Sequence, residues 1–165
     1  LQDLFVILDE LAKEMVNRGN WKIRVMGDRN ALSKDFLESL EQSENASVNT
    51  KGATVNLAIG YGGRQEITDA MRSIVQSSIA SGDDLSKLSD SLTPELIASH
   101  LYTSDQPDPD LIIRTSGEQR LSGFLLWQSS NSELYFEEAL WPDFRKVDFL
   151  RAIRAFAKRH RRFGA

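Results

Sequence analysis

The feature that most constrains the fold is a short apolar run, Leu111 to Ile113, which follows two prolines and ends in an arginine. Pro107 and Pro109 block a helix and hold the residues before them extended, so the run is predicted to be a buried strand. Arg114 then stands at the carboxyl end of that strand. In open parallel sheets, ligands bind outside those ends. This end of the strand is therefore the first candidate for a functional site.

The loop after this strand has the residue types of an anion site. Arg114 and Arg120 offer planar guanidinium groups to one anion, and Ser122 and the loop amides add donors. Each charge-assisted hydrogen bond contributes about 1.5–3 kcal/mol, enough together for micromolar binding of a diphosphate. The alternative is that Arg114 pairs with Glu118 and that Arg120 is a solvated loop charge. The spacing leaves both interpretations open.

A glutamate lies close in the sequence to this loop. Glu133 follows a polar run and precedes the strand-like segment 134–136. A carboxylate beside a diphosphate is repulsive unless a divalent cation such as Mg²⁺ lies between them. Glu133 is therefore a candidate magnesium ligand, although a salt-bridge acid is the more common role of a single glutamate.

Segments with strand and helix patterns alternate along the whole chain. The pattern predicts an α/β domain with a central, mainly parallel sheet flanked by helices, and residues 1–165 as a single domain. The predicted strands are 21–26, 53–59, 111–113 and 134–140, and the second ends in the glycine-rich turn 60–63. The polar runs 42–52 and 81–91 are predicted to be a surface loop and a solvated connection.

Composition excludes several classes of protein. The chain has no cysteine, so neither disulfides nor thiolate metal sites are available. No apolar run is long enough to span a bilayer, and no signal peptide is visible, which predicts a soluble, cytoplasmic protein. From Arg145 onward there are eight Lys or Arg and one acid, but the chain as a whole has a net charge of −4. This balance, and a basic helix face without exposed aromatics, disfavour a nucleic-acid binder.

Five segments resemble the cis-prenyltransferases, the undecaprenyl diphosphate synthase family. The most specific is RTSGEQRLSGFLLWQ at 114–128, followed by SELYF at 132–136 and LWPDF at 140–144. NLAIGYGGRQEI at 56–67 resembles the family's second block, and RRFG at 161–164 resembles its Arg-x-Gly ending. The blocks occur in the family's order and span most of the chain.

The resemblance implies an enzyme that condenses isopentenyl diphosphate with an allylic diphosphate, usually as a homodimer. It implies that Mg²⁺ is the cofactor, with Glu133 helping to place it. Residues matching the isopentenyl diphosphate site are Arg114, Arg120, Leu121 and Ser122, with Arg162 and Gly164 of the Arg-x-Gly ending. The Tyr-Gly-Gly-Arg turn at 61–64 matches the second block, more as scaffold than as catalyst. For an enzyme with a lipid product, a peripheral contact with membrane is a further expectation.

Two departures from the family pattern limit this interpretation. Gly60 stands where the family commonly has asparagine. Roughly the first third of a family member has no counterpart, including the aspartate of its Asp-Gly-Asn-Gly-Arg loop, so the catalytic residues are expected in that part. Residues 1–165 alone are therefore expected not to turn over. The alternative function is that of a non-catalytic partner subunit of a prenyltransferase complex.

Overall fold

A computed structural model describes residues 2–159, and the chain divides between Gly62 and Gly63 into two compact units. The first unit contains α1 (Gln2–Asn17), β1 (Trp21–Met26), α2 (Lys34–Ser47) and β2 (Ala53–Ala58). The second contains α3 (Gly63–Ser81), α4 (Leu88–Ser91), α5 (Pro94–Ala98), β3 (Leu111–Arg114), β4 (Glu133–Phe136) and α6 (Lys146–Ala157). Helices alternate with parallel strand pairs, which confirms the predicted α/β class.

In the first unit, β1 and β2 pair in parallel and helices supply the core. The register runs from Trp21 opposite Ala53 to Met26 opposite Ala58. Val25, Ala12 of α1 and Leu40 of α2 belong to one buried cluster. Full burial of a leucine stabilises the unit by about 1.5–3 kcal/mol, so these contacts fix both helices against the strands.

The polar C-terminal half of α2 supports β1 through hydrogen bonds. The Ser47 hydroxyl, which is buried, accepts from the Ile23 amide at 2.9 Å and donates to the Ser43 carbonyl at 2.8 Å. The predicted surface loop over 42–52 is therefore wrong for residues 42–47. Two of these polar residues, Glu44 and Ser47, accept hydrogen bonds from β1 amides, a role that a hydropathy pattern does not distinguish from exposure.

In the second unit, β3 and β4 are parallel, with Leu111 opposite Glu133 and Arg114 opposite Phe136. The buried face of α3 includes Glu66, whose carboxylate accepts from the Tyr102 amide at 3.0 Å and from Gln128 Nε2 at 3.0 Å. This buried network links α3 to the segments on either side of β3.

Two predicted boundaries in the second unit change. The strand predicted over 134–140 ends at Phe136, because the carbonyls of Glu137 and Ala139 accept from amides of the loop that follows β3 instead of continuing the ladder. The solvated connection predicted over 81–91 contains a 3-10 turn, Leu85–Lys87, and then α4. Asp84 caps that turn by accepting from the Ser86 amide at 3.0 Å. Within residues 2–159, no helix is both long and apolar enough to cross a membrane.

Candidate anion-binding site

A cavity of about 370 Å³ opens in the second unit beside the carboxyl end of β3. It is lined by Ile112, Ile113, Arg114, Thr115, Ser116, Arg120, Leu121, Ser122, Phe124, Leu134 and Phe136. The lining therefore combines guanidinium and hydroxyl groups with aliphatic and aromatic side chains. Four predicted substrate-binding residues, Arg114, Arg120, Leu121 and Ser122, meet in this cavity.

Backbone hydrogen bonds fix the start of the loop after β3. The Glu137 amide donates to the Arg114 carbonyl at 2.8 Å, and the Gly117 amide donates back to the Glu137 carbonyl at 2.9 Å. The Ser116 amide donates to the Ala139 carbonyl at 2.9 Å. The prediction that loop amides bind the anion is therefore wrong for Ser116 and Gly117, because backbone carbonyls already use both.

The end of the loop adopts a left-handed conformation that a second contact supports. Ser122 has φ 49° and Gly123 has φ 80°. The Gly63 amide, at the start of α3, donates to the Gly123 carbonyl at 3.1 Å. A Cβ on Gly63 would lie 2.4 Å from that carbonyl oxygen, so only glycine permits this approach. Gly63 is thus scaffold for the loop that carries Ser122.

Both arginines converge on a single carboxylate. Arg114 contacts Glu118 and also donates to the Arg120 carbonyl at 2.5 Å. Arg120 donates to Glu118 from Nε at 3.0 Å and from Nη2 at 2.9 and 3.0 Å. The hydrogen bonds from Arg120 hold the pKa of the Glu118 carboxyl below its usual value, and the charge of Arg114 adds to the effect. The structure therefore has the Arg114–Glu118 pair, and Arg120 shares it instead of standing alone in solvent.

Glu133 lies at the other end of the strand pair from Arg114. It opens β4 opposite Leu111, three residues before Arg114, which is about 10 Å along a strand. Its carboxylate accepts from Arg159 at 2.6 Å, and Arg159 also donates to the Leu134 carbonyl at 3.0 Å. Across residues 2–159 there is no group of three or more His, Asp or Glu side chains that would hold a metal ion. Glu133 is thus not among the residues that the cavity brings together.

Arg162 and Gly164, which the resemblance adds to the substrate site, lie outside the described residues.

The sequence interpretation missed the apolar wall of the cavity. Phe124 follows the loop and Phe136 ends β4, so the two residues lie twelve positions apart and share no periodic pattern. The signal that could have found Phe136 is the parallel register, which places it opposite Arg114. Phe124 comes directly after the positive-φ pair 122–123, whose geometry the sequence indicates only through Gly123.

Comparison with known proteins gives matches over almost the whole chain. The family model described as "Putative undecaprenyl diphosphate synthase" matches residues 1–164. Isoprenyl transferase 1 of Streptomyces avermitilis is 48% identical over 164 residues, covering 99% of this chain and 64% of that protein. The (2Z,6E)-farnesyl diphosphate synthase of Mycolicibacterium smegmatis is 50% identical over 167 residues, covering 99% and 63%.

A solved structure agrees with the fold. Lavandulyl diphosphate synthase from Lavandula x intermedia, crystallised with dimethylallyl diphosphate, superposes with a TM-score of 0.87 and 31% identity. The match covers 98% of this chain and 70% of that one. The 165 residues span less than two thirds of the length of the two bacterial relatives.

Proposed function

The chain belongs to the undecaprenyl diphosphate synthase family, and we propose that the protein is a transferase that condenses isopentenyl diphosphate with an allylic diphosphate to give a Z-polyprenyl diphosphate. The observation that carries the proposal is the convergence of Arg114 and Arg120 on one carboxylate at an apolar cavity. Two guanidinium groups that share one anionic group of the protein are already placed to share one anionic group of a ligand.

The cavity suits both ends of isopentenyl diphosphate. In the proposed complex, Arg114, Arg120 and Ser122 hold the diphosphate, while Phe124 and Phe136 line the path of the five-carbon chain. A volume of about 370 Å³ is at the small end of the range for ligand pockets, which suits a five-carbon substrate better than a long polyprenyl chain.

The role of these residues in the proposed reaction is positional. Prenyl transfer breaks the carbon–oxygen bond of the allylic diphosphate, forms a bond from the alkene carbon of isopentenyl diphosphate, and releases a proton. A guanidinium group offers only hydrogen-bond donors, so Arg114 and Arg120 clamp and orient the nucleophilic substrate and do not accept its proton. Fixing that substrate lowers the entropic part of the barrier.

Magnesium dependence is proposed from family membership. The described residues do not assemble a metal site, because Glu133 is engaged by Arg159 and no acidic or imidazole cluster surrounds it. We therefore derive no step through the metal. Removal of Mg²⁺ with a chelator is expected to abolish turnover by a whole family member while leaving the Arg114 contacts to isopentenyl diphosphate intact.

Further parts of the proposal concern assembly and location. We propose a cytoplasmic homodimer with no nucleic-acid partner and a peripheral contact with membrane. Support for an additional surface contact comes from Trp141, which is 73% exposed, and from Leu140, which precedes it in the chain and is also exposed. Light scattering on a size-exclusion column would give the oligomeric state directly.

A second candidate function is a non-catalytic partner subunit. Retention of Arg114, Arg120 and Ser122 together in one cavity favours the substrate-binding type of subunit. For residues 1–165 by themselves we propose binding of isopentenyl diphosphate without turnover, since over a third of the bacterial relatives' length has no counterpart in them. Prenyl transfer by the purified chain, verified by intact mass, would contradict the proposed absence of turnover.

The proposal is tested by calorimetric titration of isopentenyl diphosphate into the 165-residue chain, with and without Mg²⁺. Wild type is expected to bind at roughly micromolar strength, and Arg114→Ala and Arg120→Ala are each expected to weaken binding by about 10- to 150-fold, since each removes charge-assisted bonds. Arg145→Ala is the control matched to Arg120→Ala, because Arg145 is, like Arg120, an exposed arginine paired to one acid, here Asp148, but lies outside the cavity. Equal loss in all three variants, or no binding by folded wild type, would overturn the assignment.

A further inference from the structure

The carboxylate of Glu118 contacts both arginines of the candidate anion-binding site. It receives Arg120 Nε and Nη2 and the guanidinium of Arg114, so the strongest donors of the cavity are all engaged by the protein itself. We propose that Glu118 is a built-in counter-anion that an incoming diphosphate must displace, and that it thereby sets the affinity and release of ligands at this site. This inference rests on the proposed function of the same cavity.

The attachment of Glu118 to the rest of the protein allows such a displacement. The described contacts of its carboxylate are with the two arginine side chains, and its side chain is 46% exposed. The residues just before it, Ser116 and Gly117, are held by backbone hydrogen bonds to Ala139 and Glu137. Rotation of the Glu118 side chain alone therefore clears both guanidinium groups, while the loop keeps its shape.

A second cluster in this unit also contains two arginines and one carboxylate, but there the carboxylate is buried and bonded to the backbone. Asp148 also pairs with two arginines, Arg145 and Arg151, but its side chain is 4% exposed. It additionally accepts from the Arg145 backbone amide at 3.1 Å, at the start of α6. Displacing Asp148 would leave a helix amide without its acceptor, whereas displacing Glu118 breaks only side-chain contacts that a diphosphate would replace.

The exchange has a direct consequence for affinity. A diphosphate gains its bonds to Arg114 and Arg120 only by giving up those that Glu118 makes, and the displaced carboxylate stays close enough to repel it. Both effects weaken binding relative to two unengaged arginines. After the reaction, the same carboxylate competes for the arginines again and favours departure of the bound anion.

The test is a titration of inorganic pyrophosphate and of isopentenyl diphosphate into wild type, Glu118→Gln and Glu138→Gln, at equal ionic strength. Glutamine removes the charge of Glu118 at nearly constant shape, and we expect the dissociation constant for pyrophosphate to fall about 5- to 10-fold, the size expected for an exposed ion pair together with relief of repulsion. Glu138→Gln is the matched control, because this exposed acid lies close to Gly117 yet contacts neither arginine in the described part of the chain. It is expected to change affinity less than about 2-fold.

The outcomes separate the inference from the proposed function. If wild type binds and Glu118→Gln binds equally well or more weakly, the counter-anion role of Glu118 is wrong although the binding site stands. Weaker binding would instead indicate that Glu118 orients the two arginines. An equal gain in both glutamine variants would reduce the effect to general charge and also overturn it. Failure of every folded variant to bind either anion would overturn both proposals. Glu118→Asp, which keeps the charge on a shorter side chain, is expected to fall between wild type and Glu118→Gln.

Discussion

Each of the two units places arginine next to carboxylates at the end of a parallel strand, but with opposite charge ratios. In the first unit, Arg29 donates to Glu44 at 2.8 Å, to Glu41 at 3.2 Å and to the Val25 carbonyl at 3.3 Å. In the second unit, two arginines share Glu118. One cation between two acids is neutralised by the protein itself, whereas two cations on one acid retain a positive charge.

The first cluster also holds backbone. The Glu44 carboxylate accepts from the Val25 amide at 2.7 Å as well as from Arg29, so it ties α2 to β1. Glu118 accepts only from side chains among its described contacts, and the two arginines that donate to it line a cavity. From this comparison we predict that an arginine can bind a ligand when its carboxylate partner is exposed and accepts no backbone hydrogen bond, and when the arginine itself lines a cavity.

The largest effect expected in the first unit is on stability. Arg29→Ala removes the cation between Glu41 and Glu44 and is expected to lower the free energy of unfolding by about 1–2 kcal/mol, or about 2–8 °C in unfolding temperature. Binding of isopentenyl diphosphate should be unchanged. Thermal unfolding and titration of the same sample check both statements. If Arg29→Ala were as stable as wild type but no longer bound isopentenyl diphosphate, the proposed difference between the two clusters would be wrong.

A change in the charge ratio of the first cluster tests whether removal of both carboxylates is enough to make Arg29 bind an anion. Glu41→Gln with Glu44→Gln leaves Arg29 without a carboxylate partner, while the new side-chain amide at position 44 retains an oxygen for the Val25 amide. We expect about 1 kcal/mol loss of stability and no gain of pyrophosphate binding, measured in a protein that also carries Arg114→Ala. New pyrophosphate binding would mean that loss of the carboxylate partners is sufficient to make an arginine bind the anion.

The sequence was informative about the arginine at the strand end and much less so about its neighbours. Pro107 and Pro109 before an apolar run predicted β3 correctly. The loop spacing allowed Arg114, Arg120 and Ser122 to serve one anion but left a solvated Arg120 open, and the structure has all three in the lining of the cavity. Both predictions depend on local chain geometry. Whether the arginines pair with a ligand or with Glu118 depends on side-chain positions, and the spacing in the sequence does not determine these.

The position of Glu133 depends on a longer-range property, the register of β3 with β4. Parallel pairing of Leu111 with Glu133 puts this acid at the amino end of the strands, away from Arg114. Seventeen residues lie between position 115 and Glu133. Neither the hydrophobic periodicity nor the secondary-structure propensity of such a connection determines the register in which β4 pairs with β3. The role of Glu133 as a magnesium ligand stays a prediction, and so do those of Arg162 and Gly164.

The smallest effect concerns the third arginine–carboxylate cluster, at the start of α6, and its dependence on pH. Hydrogen bonds from the Arg145 side chain hold the pKa of Asp148 below its usual value, and the hydrogen bond from the Arg145 backbone amide lowers it further. Because the folded-state pKa is depressed, the cluster contributes stability above the unfolded-state pKa of about 4 and loses it as the pH falls through the lower folded-state value. Unfolding temperature measured from about pH 6 down to about pH 3 should therefore fall more for wild type than for Asp148→Asn, which has no proton to take up. Parallel curves would mean that the burial of Asp148 at the helix start, and not its charge, stabilises this cluster. The cluster would then differ from the other two, in which we attribute the role of the carboxylate to its charge.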